Sequence, residues 1–314
     1  MLVVAAVNQK GGVGKTTVAL GLAARAARRG LDTVVVDLDP QANATSGMGM
    51  WSPAHAVDEA LAVERRGALA DVLCHTGWDS DLFDVSPRLA PSRSALAQLE
   101  LQLATDPIGA QDRLATALDG VEADLVIIDC PPSLGLLTVN GLFAADVAVV
   151  VTEPGAWATD GVDQIVRNIN RIAERRAGRL RLGGIIVNRL GRTRDARYWD
   201  EQLVDAHGPS VIRPAIRLRA AVAEASAQSL PIHALDRDGT VEAVAEFDAV
   251  LDALLVGPID LTTLSVKPES VDAGSRTTES LDASPIATPS IPTSSIPTPS
   301  METLSTVGSE MTHG

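Results

Sequence analysis

Short runs of apolar, largely β-branched residues recur along the chain, separated by longer stretches with a helical repeat of apolar positions. Leu2–Val7 is the first run and predicts a buried strand. Asn8–Gly14 is a glycine-rich loop, Thr16–Arg29 an alanine-rich helix stopped by Gly30, and Thr33–Asp37 a second strand ending in an acid. That order is a βαβ unit, whose crossover should be right-handed. The pattern continues with strands at Asp124–Asp129, Asp146–Val151 and Gly184–Asn188 and a short one at Val211–Ile212. Helices are expected at Leu136–Ala144, Thr159–Arg176, Arg219–Ala227 and Thr240–Leu255. Uniformly apolar strands alternating with helices predict an α/β fold, a doubly wound, mostly parallel sheet covered on both faces. Trp51–Gly120 is less regular and predicts two or three helices with one strand near Leu82–Val85.

Residues 1–255 form the expected folded domain. From 256 to 314 the chain turns rich in Ser, Thr and Pro, with the near-repeat TPSIPTSSIPTPS, and this tail is expected to be disordered because it has too little apolar surface to offset its ordering entropy.

Composition narrows the function. The 314 residues carry a net charge of -14, which argues against a generally basic nucleic-acid coat. Two cysteines, Cys74 and Cys130, make neither a disulfide framework nor a cysteine-rich metal site and fit a reducing compartment. No apolar stretch approaches the ~18 residues of a membrane span, and the N-terminus lacks the pattern of a secretion signal. The chain contains only three lysines, Lys10, Lys15 and Lys267. Two of them five residues apart mark a place where a compact ammonium is wanted rather than a guanidinium fork. Between Ile165 and Arg219 there are 13 arginines against 5 acids, a local excess of cations that points to an anionic partner.

Residues 10–17 read KGGVGKTT, between a strand and a helix. Gly11, Gly12 and Gly14 allow backbone amides, together with those of Val13 and Thr17, to turn toward phosphate oxygens. Lys15 reaches β- and γ-phosphates, the Thr16 hydroxyl is a Mg²⁺ ligand, and the helix N-terminus adds partial positive charge. Gln9 stands where the ordinary phosphate-loop pattern has glycine, so the loop is a variant with an additional lysine, Lys10, at its entrance. In Val35–Asn43 (VVDLDPQAN), Asp37 is placed to support Mg²⁺ through water and Asp39 to orient an attacking water. In Val126–Ser133 (VIIDCPPS), Asp129 is a strand-end carboxylate that holds Mg²⁺ through water, and Pro131–Pro132 stiffen the loop behind it.

KGGVGKTT, DLDPQAN and DCPPSLG together resemble the deviant Walker A, switch I and switch II motifs of the ParA/MinD family of ATPases. The resemblance covers roughly residues 1–255 and implies ATP and Mg²⁺ as cofactors and ATP hydrolysis as the activity. It implies that Lys10 contacts the nucleotide of a second subunit in a sandwich homodimer. It also places Asn188, at the end of GIIVN, beside adenine, with Arg213 and Pro214 on the base's other side. Within the family, the DNA-partition branch binds DNA without sequence preference in the ATP state and is stimulated by a ParB-like centromere-binding protein. The resemblance puts Arg192 and Arg217 at DNA-contacting positions, with Arg194 and Arg219 as neighbours. A cytoplasmic, nucleoid-associated protein follows. The acidic, Ser/Thr/Pro-rich tail does not supply the basic amphipathic helix of the membrane-binding branch. A loop starting at residue 10 leaves no room before it for a helix-turn-helix domain, so no direct operator binding is expected. The alternatives are a positioning ATPase for other cargo and a metabolic or carrier ATPase of the same family without DNA binding.

Overall fold

The computed structural model describes residues 1–106 and 108–256. Strand β1 (Leu2–Val7) leads through the glycine loop into helix α1 (Lys15–Arg28) and strand β2 (Thr33–Asp37). Three short helices and two short strands follow: α2 (Asn43–Gly47), α3 (Val57–Ala62), β3 (Cys74–His75), β4 (Arg88–Ala90) and α4 (Ala95–Leu103). Then come α5 (Arg113–Leu118), β5 (Leu125–Asp129), α6 (Leu136–Ala144), β6 (Val147–Thr152), α7 (Ala158–Arg175) and β7 (Arg181–Val187). Helix α8 (Arg194–His207), β8 (Val211–Ile212), α9 (Ala220–Ala227) and α10 (Thr240–Val256) complete the described elements.

The eight strands form one sheet in the order β3-β4-β2-β5-β1-β6-β7-β8. All neighbours are parallel except β3, which runs antiparallel to β4 at the edge. The period-2 geometry of a strand sends alternate residues into two separate cores. Val3, Ala5 and Val7 of β1 join the core under α3–α8, while Val4 and Ala6 join the one under α1, α9 and α10. Every residue of β2, β5 and β6 is buried, as a sheet covered on both faces requires.

The expected strand near Leu82–Val85 is not there. Ser80–Leu82 is a 3-10 turn, and Phe83 instead packs its ring on Trp78 at 5.8 Å and edge-on to His233 at 5.2 Å. The strand lies a few residues later, where Leu89 registers with Val35 between Pro87 and Pro91. Helix α8 carries no counterpart in the sequence reading. Only Leu203 of its fourteen residues is buried, so it shows little apolar stripe; its start is marked instead by Thr193, whose hydroxyl accepts from the Ala196 amide at 3.1 Å. Helix α10 ends at Val256, the first residue of the expected tail; the rest of 256–314 lies outside the described residues.

Helices α1 and α10 pack against each other through Gly21, where a Cβ would fall well inside contact distance of the Phe247 ring. Arg25 and Arg29 of α1 close the same seam on Asp248, at 2.9 and 2.8 Å, and Arg29 also reaches Asp252 at 2.5 Å. Alanine normally stabilises a helix interior over glycine by roughly 1 kcal/mol. Gly21→Ala should do the opposite, losing about 1–3 kcal/mol to overpacking. Urea unfolding of the variant checks this; unchanged stability would mean that Phe247 has room to move.

Candidate functional site

Sheet order places three strand ends side by side. Strand β5 lies between β1 and β2, with Asp129 in register with both Ala6 and Asp37. The glycine loop after β1, the acid ending β2 and the acid ending β5 therefore converge at the carboxyl edge of the sheet, the place where such folds bind ligands.

The loop is held from outside. Asn8 is buried and donates its side-chain amide to the Val151 carbonyl at 2.6 Å, while its Oδ1 accepts from the Lys10 amide at 2.9 Å. Val13 is fully buried and anchors the loop, and its carbonyl accepts from Asn188 Nδ2 at 2.8 Å. The Gly12 carbonyl accepts from Arg189 Nη1 at 2.9 Å. With these carbonyls engaged outward, the loop can keep amides for an anion. Gly12 and Gly14 have φ of 79° and 87°, and a Cβ on Gly14 would collide with the Asn188 amide, so glycine is required there on both counts. No side chain caps the start of α1, which leaves its first amides free for phosphate oxygens. Lys15 is buried, and burial pulls its ammonium below the usual lysine range against the opposing pull of Asp129, Cys130 and Asp39.

Three carboxylates line up under this loop. Asp37 is fully buried, its Oδ2 accepting from the Thr45 amide at 2.8 Å and hydroxyl at 2.7 Å and its Oδ1 from the Asp39 amide at 3.1 Å. Asp129 accepts from the Thr16 hydroxyl at 2.7 Å, but its Oδ1 is buried without any hydrogen bond. Burial raises the pKa of both acids; Asp37 raises Asp129 further, and Thr16 and Lys15 oppose that rise. Asp39 is nearly buried and accepts from the Gln41 amide at 2.9 Å, while Ser92 donates its hydroxyl to the Asp39 carbonyl at 2.7 Å. An orphaned buried carboxylate oxygen next to a hydroxyl is the donor set that a hard divalent cation would satisfy. Among the described residues, no group of three His, Cys, Asp or Glu is placed to hold a metal alone. Mg²⁺ takes one or two protein oxygens and completes its shell with water and substrate phosphates.

Above the acids is an open cavity of about 380 Å³. Gly11, Gly12, Gly14, Lys15, Thr16, Thr17, Asp39 and Asn188 line it, while Val13, Asp37 and Asp129 are not among its lining residues. Lys10 does not line it; its ammonium is on Glu153 Oε1 at 2.7 Å. Arg213 and Pro214 do not line the cavity: Arg213 pairs with Asp200 at 3.0 Å, and both residues are exposed. The far wall is built by Leu218 and by Val222, Ala223 and Ser226 of α9. The sequence did predict α9; it gave no signal for which of its faces meets a ligand.

The four arginines expected on DNA divide. Arg192 and Arg194 are exposed and have no carboxylate partner among the described residues. Arg219 is largely buried in an ion pair with Glu246, with one contact at 2.8 Å, and it lines the cavity just described. Arg217 donates its amide to Glu246 at 3.0 Å and borders both that cavity and a shallow groove lined by Arg192, Arg197, Asp200 and Glu201. Cys130 is buried and burial pushes its thiol up, as for a packing residue. Among the described residues, no helix is long and apolar enough to cross a membrane.

Comparison with known proteins agrees with this geometry. The family model described as an AAA domain matches residues 1–182. The chromosome-partitioning ATPase Soj of Thermus thermophilus is 36 % identical over 223 residues, 71 % of this chain and 83 % of that protein. The chromosome partitioning protein ParA of Caulobacter vibrioides is 31 % identical over 242 residues, 73 % of this chain and 85 % of that one. Among solved structures, cobyrinic acid a,c-diamide synthase from Mycobacterium smegmatis with bound ATP analog and magnesium superposes with a TM-score of 0.66 at 30 % identity, over 81 % of this chain and 94 % of that one. The loop, the two acidic strand ends and these likenesses all place the chain in one group: it belongs to the ParA/MinD-type P-loop ATPases.

Proposed function

We propose that this chain is a Mg²⁺-dependent ATPase of DNA partition, cycling between an ATP-bound homodimer on nonspecific DNA and a released ADP state, with a centromere-binding protein of the ParB type as stimulator. The observation that carries the reading is the position of Arg217, which borders both the phosphate cavity and the arginine groove, so that a nucleotide and an anionic polymer would share one wall. The names of the relatives support the partition role, and the acidic net charge agrees with DNA contact confined to one face.

In this reading the amides of residues 11–17 and Lys15 hold the triphosphate, and Asn188 and the α9 wall enclose the base. Arg213 and Pro214, expected beside the base, have no part in this cavity. Thr16 would hold the metal with its hydroxyl, and Asp129 and Asp37 would support it through water. The bound metal supplies charge neutralisation at the β- and γ-phosphates. Asp39 lines the cavity with its carboxylate fixed by the Gln41 amide and orients the attacking water. Lys10 leaves Glu153 for the nucleotide of the second subunit. Pairing two subunits doubles the arginine surface, which makes DNA affinity depend on the dimer through valency. Arg192, Arg194 and Arg217 belong to that surface, and Arg219 acts through Glu246 to hold the Arg217 loop.

A second reading, a metabolic ATPase, is favoured by the likeness to the cobyrinic acid a,c-diamide synthase. Co-sedimentation with DNA of arbitrary sequence separates the two. The partition reading expects salt-sensitive binding with ATP and little with ADP; absence of binding in both states, with ATP turnover intact, rejects it.

Two substitutions test the cycle. Lys10→Ala should keep nucleotide affinity and lose the ATP-dependent dimer in analytical ultracentrifugation; an undiminished dimer removes Lys10 from the interface. Asp39→Ala should lower turnover by about 100-fold or more and accumulate the ATP dimer on DNA. Turnover at the wild-type rate would show that the water is oriented by another group.

A further inference from the structure

Among the described residues, arginines up to position 197 and beyond 219 fall into two populations. All nine described arginines outside 165–219, Arg25 and Arg237 among them, have a carboxylate within 4.0 Å. Between 167 and 197, ten arginines have no carboxylate partner among the described residues. In a chain with a net charge of -14, acids are abundant enough to pair them, so the lack of pairing is a property of where these side chains stand. Three of the ten are occupied by carbonyls: Arg176 on Leu142 and Ala145, Arg189 on Gly12, and Arg197 on Thr193 and Arg192.

The remainder form two groups, of which one is the Arg192–Arg194 pair already described. The other is on α7 and just beyond it: Arg167, Arg171 and Arg175, continued by Arg179 and Arg181, all exposed. Positions 167, 171 and 175 are spaced i, i+4, i+8 and share one helix face. The opposite face of α7 is committed to the sheet through Val162, Ile165, Val166, Ile169 and Ile172. Helix α7 descends from the carboxyl end of β6 to the amino end of β7, so this row leads away from the nucleotide cavity along the flank of the molecule.

We propose that the Arg167–Arg171–Arg175 row is a second DNA-backbone contact surface, separate from the Arg192–Arg194 pair. The proposal rests on the DNA-partition reading and extends it. At 1.5 Å of rise per residue the row covers about 12 Å, the axial length of three to four phosphates on one strand at about 3.4 Å each. Guanidinium groups suit such phosphates and carry no sequence readout. A duplex fits the row better than a lipid surface does. The apolar face of α7 is spent on the core, which among the described residues leaves Trp157 at the N-cap as the one large exposed apolar side chain beside it, too little to anchor a helix in a bilayer.

The test is double-stranded DNA binding by the full chain with ATP and Mg²⁺, titrated against salt, for the wild type and for the triple variant Arg167→Gln/Arg171→Gln/Arg175→Gln. Each lost phosphate contact should flatten the slope of log K against log salt by about 0.9. Three contacts therefore predict a slope shallower by about 2.7, with ATP turnover in the absence of DNA unchanged. A triple variant with the wild-type slope overturns the second surface while leaving the partition reading standing. A wild type that binds no DNA overturns both. Binding of the wild type, but not of the triple variant, to phosphatidylserine vesicles in place of DNA would also overturn the proposal.

Discussion

Asp37, Asp39 and Asp129 sit together at the edge of the sheet with water nearly excluded, and Lys15 is the lysine buried among them. Like charges in such a place are costly unless hydrogen bonds, a cation or protons compensate. The surrounding structure supplies part of that compensation. Thr45 serves Asp37 twice, Thr16 serves Asp129 once, and the amides of Asp39 and Gln41 serve Asp37 and Asp39. One oxygen of Asp129 is left with nothing. The site is therefore unfinished in charge, and a triphosphate with its metal is the kind of ligand that finishes it.

That requirement explains features far from the acids. The register that puts Asp37 beside Asp129 needs β5 between β1 and β2, so the crossover from β1 to β2 must leave a gap for a strand made much later in the chain. Ser92, just after β4, donates its hydroxyl to the Asp39 carbonyl and its amide to Thr45 Oγ1. Glu100 on α4 accepts from the Leu137 amide at the start of α6. The same short stretch of chain thus holds the loop after β2 and the helix that follows the β5 loop.

Much of this was legible from the amino acids because the relevant patterns are local. A wholly buried strand is a run of Val and Ile, as in Val34–Val36 and Val126–Ile128, and a loop that must turn its amides inward is rich in glycine. What could not be read depends on distant partners. The Leu82–Val85 run looks like a strand, but Trp78 and His233 capture Phe83, and two prolines frame the real strand nearby. Arg213 and Pro214 are close in sequence to the cavity wall, yet Asp200 draws Arg213 away from it. The resemblance sets Arg219 beside a DNA-contacting position, whereas Glu246, 27 residues on, holds it in an ion pair.

The Lys10–Glu153 pair has a consequence for the dimer proposed above. It is half exposed, and such pairs stabilise by about 0–1 kcal/mol, so it is a weak hold. It is nevertheless intramolecular, and a tethered carboxylate acts at an effective concentration far above that of any second subunit. A single negative charge on its own chain is thus the default occupant of Lys10. In the proposed dimer a competitor would have to offer several charges at once, so that the count of phosphates on the other subunit's nucleotide would be the quantity that this lysine weighs.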